Sequence, residues 1–104
     1  MEIKGKRFRR NDRLVATRRS LRGEILALRY ELEHLDEALR AGSASASARV
    51  ALEQAFRHLR EAEHAWQAVQ QPADMLVIIG RLDEARDALE ESVAARARGA
   101  RASA

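Results

Sequence analysis

Two pairs of side chains in this sequence have the spacing of metal ligands: Glu31 with His34, and Glu61 with His64. A Glu and a His three positions apart share one face of a helix, so carboxylate and imidazole can reach a single ion together. Beyond these pairs, patterns that carry chemistry are scarce. The chain has no Cys, which removes thiolate nucleophiles, zinc thiolate sites and disulfides. It contains no phosphate-cradling glycine loop, no HExxH and no GxSxG. The expectation is a protein that is not an enzyme, with no catalytic residue, no cofactor and no evident small-molecule substrate.

Two Glu-x-x-His pairs on antiparallel helices resemble the iron sites of ferritin-like bundles, including short chains that complete their sites only by dimerising. The resemblance is confined to these four residues and implies a metal-binding bundle completed by a second copy. Helical projection points the other way. His34 falls about opposite the apolar seam described below, and Glu61 and His64 fall away from the Leu59 and Trp66 face. In a chain that is 34% charged, solvated charge accounts for all four residues, and no metal is assigned.

The basic residues are better organised than the metal-like pairs. Residues 1–23 carry nine basic and two acidic side chains, residues 24–91 seven and fourteen, and residues 92–104 three and none. The result is a basic head, an acidic body and a basic tail. Lys4, Lys6, Arg7, Arg9, Arg10 and Arg13 dominate the head, around a lone Phe8. Cations at the start of a helix oppose its macrodipole, so they do not stabilise the fold and are expected to act outside it. A flexible arm over 1–10 suits phosphate contacts on nucleic acid or the acidic surface of a protein. No base-reading motif accompanies it.

Apolar periodicity shows what must carry the arm. Leu14, Leu21, Ile25, Leu28, Leu32, Leu35 and Leu39 recur at three-and-four spacing, broken only by Arg18. This coiled-coil-like stripe predicts a first helix over 12–40, capped by Asn11 or Asp12, and a seam that must be covered by helices of the same chain or of another. The small-residue stretch 41–48 (AGSASASA) predicts a reversal of the chain. A second helix over 47–70 places Leu52, Phe56, Leu59, Ala62, Trp66 and Val69 on one face. Pro72 then opens a third over 73–97, with Met75, Ile79, Leu82, Leu89 and Val93 as its stripe and a frayed tail at 99–104. Gly80 inside it marks a bend or a short loop. The segment 80–90 (GRLDEARDALE) resembles the middle of a tetratricopeptide repeat, where a Gly ends one helix before the next. A second copy does not occur thirty-four positions upstream, where Ala46 lies in the linker, and a lone repeat cannot bury its face.

The single Pro, five Gly and 46% apolar content, 21 of those residues being Ala, fit an all-α chain: an antiparallel helical hairpin or a three-helix bundle over 11–98. The longest apolar run, 75–79, is far too short to span a membrane. A cytoplasmic location and no membrane partner are therefore expected. Arg outnumbers Lys 17 to 2, a bias of the kind that GC-rich bacterial and phage genes produce. The function expected is a protein–protein interaction module, an adaptor, assembly subunit or small inhibitor that forms homo-oligomers or takes a helical partner. Nucleic-acid binding through the arm is the alternative, and ferritin-like metal binding ranks third.

Overall fold

Thr17 and Ser45 do the same work at two helix starts. Each hydroxyl accepts a hydrogen bond from the backbone N–H three residues on, Ser20 at 3.0 Å and Ala48 at 3.2 Å, and so satisfies a donor that the first helical turn leaves unpaired. Helix α1 (Arg18–Ala41) and helix α2 (Ala46–Gln67) begin there in the computed structural model, which describes residues 17–42 and 44–103. A 3-10 turn, Pro72–Asp74, leads directly into helix α3 (Met75–Ser103). The Asp74 carboxylate accepts from the backbone N–H groups of Gln70 and Gln71 at 2.9 and 3.2 Å. These bonds, the one from Gln70 first, hold its pKa below the ordinary carboxyl value. The described residues contain three α-helices and no strand.

The chain runs up, down and up again. Arg18 of α1 meets Trp66 near the end of α2, and Ser92 of α3 meets Ala48 near its start. Both neighbours of α2 are thus antiparallel to it, and α1 and α3 run parallel, tied by Arg86 and Glu24 at 3.3 Å. The fold is the three-helix bundle. Leu21, Ile25, Leu28, Leu32, Leu35 and Leu39 are all buried against α2 and α3 of the same chain. Leu14 lies outside the described residues.

The partner faces are built from smaller residues than the large apolar side chains suggested. On α2 the buried positions are Ala48, Ala51, Leu52, Ala55, Leu59 and Ala62, while Phe56, Trp66 and Val69 are only partly buried. On α3, Ile78, Ile79, Leu82, Ala85, Ser92 and Ala95 are buried. Val93, expected in the stripe, is half exposed, and Ser92 beside it is fully buried. The reason is the close approach of α2 to α3: Ser92 fits where a larger residue would hold the helices apart. Its hydroxyl donates to the carbonyl of Ala48 at 2.7 Å, which removes the cost of burying it.

Helix boundaries also differ from the apolar pattern. Among the described residues the first helix starts at Arg18, because Thr17 is an extended, capping residue; the part of the expected helix before Thr17 lies outside the described residues. Helix α3 continues to Ser103 rather than ending at 97, since Ala and Arg are strong helix formers. It also passes through Gly80 without a break. The turn that a tetratricopeptide repeat would need at Gly80 is therefore absent.

These placements give two stability tests of opposite sign. Leu28 is 1% exposed, and Leu28→Ala should cost about 2 to 5 kcal/mol. A thermal or denaturant midpoint unchanged by it would show that the seam is not core. At Gly80 an added Cβ would meet nothing within 4 Å, so Gly80→Ala should stabilise by about 1 kcal/mol through helix propensity alone. A loss of stability there would contradict a continuous α3.

Candidate functional site

Arg18 and Arg22 are one turn apart on α1 and so share a face. The antiparallel return of α2 brings Trp66 beneath them. Its indole N–H donates to the Arg18 carbonyl at 2.7 Å, and the Arg18 Nε donates back to the Trp66 carbonyl at 3.3 Å. Over the indole ring lie two guanidinium groups, that of Arg18 at 3.7 Å and that of Arg22 at 4.8 Å from its centroid. An exposed cation–π contact of this kind is worth about 0.5 to 1 kcal/mol. The planar guanidinium keeps its N–H edge free while its face is stacked.

Further along the same groove Arg29 pairs with Glu63 across α1 and α2. Arg22, Ile25, Leu26, Arg29, Glu63, Trp66 and Gln67 line a cleft of about 280 Å³. The only carboxylate in that lining is already engaged by Arg29. Arg18, Arg19 and Arg22 are exposed, and none of them is paired with a carboxylate of the described residues. The edge is cationic, it carries an aromatic ring, and it is where the basic residues of the N-terminal stretch join the bundle.

The residues singled out from sequence fare differently. Lys4, Lys6, Arg7, Arg9, Arg10 and Arg13 lie outside the described residues. Glu31 and His34 are exposed on α1, and the His34 ring packs edge-on against Tyr30 with centroids 4.5 Å apart. Glu61 belongs to a charge network between α2 and α3: its Oε1 is 3.1 Å from His58 Nδ1 and 3.7 Å from Arg81 Nε. Glu84 completes the network at 2.9 Å from Arg81 and 3.7 Å from His58. Glu84 and then Glu61 favour the charged form of Arg81 and raise its pKa further. His64 is exposed near the end of α2. Among the described residues, no group of three or more His, Asp and Glu side chains is placed to hold a metal ion.

Sequence reasoning placed Trp66 on the core face and missed its two cations. The signal was present, since folding α1 back on α2 across 41–48 brings the start of one helix to the end of the other. Arg18 registered only as an interruption of the leucine seam. In the fold it is the residue that grips Trp66.

For the metal-like pairs the expected outcome is negative. Purified protein should contain no stoichiometric iron, manganese or zinc by elemental analysis, and His64→Ala should leave its melting temperature unchanged. Bound metal that is lost with this substitution would restore the ferritin-like assignment.

Compared with models of protein families, with curated proteins and with solved structures, the chain matches none.

Proposed function

We propose that this chain is a non-enzymatic helical interaction module, an adaptor, assembly subunit or small inhibitor, that engages an acidic partner through its basic N-terminal end. One observation carries the proposal: the exposed cations of that end, Arg18, Arg19 and Arg22, have no carboxylate partner among the described residues. At the helix seams cations are matched, Arg29 by Glu63, Arg81 by Glu61 and Arg86 by Glu24. Arg49, Arg57, Arg60 and Arg96 are likewise exposed without a carboxylate partner among the described residues, but they are spread along α2 and α3 rather than gathered at one end. Unmatched charge beside further basic sequence is suited to long-range steering of an acidic surface.

The leucine seam is not the partner site in this reading. It is consumed within one chain, so self-association would have to use outer faces, such as Leu26 and Tyr30 of α1 or Leu76 and Val77 of α3, each about half exposed or more. A nucleic acid is the second reading. What favours it is the stacking of Arg18 and Arg22 on Trp66, which presents two guanidinium forks side by side.

Arm and bundle should be separable. Deleting residues 1–10 should preserve helix content by circular dichroism and leave the sedimentation coefficient changed only by the lost mass. The same deletion should weaken binding to polyglutamate and to mixed-sequence DNA or RNA at low salt. A full chain that binds none of these probes at low salt would refute the proposal. A deletion that unfolds the bundle would refute the division of labour.

A further inference from the structure

We infer that Arg18 and Arg22, held on the ring of Trp66, form a two-pronged phosphate clamp that seats the backbone of a nucleic-acid strand at the N-terminal edge of the bundle. The inference rests on the second reading above, nucleic-acid binding, and names both the ligand chemistry and the residues that take it.

Four observations support the clamp. First, both guanidinium groups lie over one indole, so two like charges are held near each other, and no carboxylate of the described residues offsets them. A site of this kind is completed by an external anion. Second, the Arg18 Nε is used on the Trp66 carbonyl, which fixes the fork while leaving both terminal nitrogens available. Paired N–H groups of this geometry take two oxygens of one phosphate. Third, both guanidinium groups come from one helix and lie within 4.8 Å of one ring centroid, so their spacing is held by the fold and suits a chain of regularly repeated charges. Carboxylates on independent, flexible side chains offer no such regularity, which favours a nucleic acid over an acidic protein. Fourth, the cleft beside the ring, about 280 Å³, is open to solvent and lined by Leu26 and Gln67 as well as Arg22. It gives a base or sugar next to the seated phosphate an apolar wall and an amide. Glu63 in the same cleft is neutralised by Arg29.

Trp66 is the chain's single tryptophan, so its fluorescence reports on the clamp alone. The test uses the full chain and a labelled mixed-sequence oligonucleotide. Binding is followed by the anisotropy of the label and by Trp66 emission together, across a range of salt. The expected result is a change in Trp66 emission that saturates with the anisotropy. Arg18→Gln combined with Arg22→Gln should reduce the steepness of the log affinity against log salt plot by about 1.4 for a single-stranded oligonucleotide, or about 1.8 for a duplex, the loss of two phosphate contacts. Its melting temperature should fall by several degrees as the stacking contacts and the Arg18 Nε bond are lost, while the bundle stays folded because the Trp66 indole still bonds the Arg18 backbone carbonyl. Should the double variant fail to fold, the emission change in the unmodified chain still decides. Binding without any change in Trp66 emission would place the nucleic acid on the arm and overturn the clamp while leaving the binding role intact. Binding to polyglutamate but not to the oligonucleotide would also overturn it. Failure to bind either would remove the binding role as well.

Discussion

The close antiparallel contact of α2 and α3 is the constraint on which the rest of the bundle depends. Small residues recur every seventh position along it, at Ala48, Ala55 and Ala62 on one helix and at Ala85, Ser92 and Gly99 on the other. The bulkier Ile78 continues the second row and is fully buried. A seven-residue period keeps one narrow face turned towards a partner helix, and alanines on that face let two backbones approach closely. Dispersion then acts over many short contacts rather than through a few large side chains. The approach is near enough that a Cβ on Gly99 would touch the side chain of Ser45 at 3.6 Å.

Helix α1 is complementary to that platform. Its six buried leucine and isoleucine side chains are large, and they lie in the groove above the small residues of α2 and α3. Each contributes roughly 1.5 to 3 kcal/mol by leaving water. The other two helices add Leu52, Leu59, Ile78, Ile79 and Leu82 to the core, and their buried alanines supply the geometric tolerance. Charged pairs line the seams between helices: Arg29 with Glu63, Arg86 with Glu24, and the His58, Glu61, Arg81 and Glu84 network. Such pairs are partly exposed and individually worth little. They balance charge at the seams where they sit, and Arg18, Arg19 and Arg22 at the start of α1 have no such pair among the described residues.

That imbalance is the link from the fold to the proposed function. Packing α1 against α2 places Trp66 under Arg18 and Arg22, and the reciprocal bonds between Arg18 and Trp66 lock the position of both. The same residues therefore close the end of the bundle and present charge to solvent. An interaction surface built on two helices keeps its geometry better than a loop would.

Several properties were decided by the sequence alone. Strict three-and-four spacing from Leu21 to Leu39 makes a helix with one apolar stripe in any fold. The scarcity of β-branched residues disfavours strands, and the single Pro at 72 opens the turn that leads into the last helix because its missing N–H costs nothing there. The charge asymmetry of head and body is likewise a matter of composition. Tertiary structure decided the rest. Whether the leucine seam meets its own chain depends on how closely α2 and α3 can approach, which their alanines permit but which no periodicity of large residues displays. Ser92 is buried and Val93 exposed because that approach rotates α3 towards its small face. The pairing of Arg18 and Arg22 with Trp66 joins residues more than forty positions apart, and only the antiparallel return of the chain brings them together.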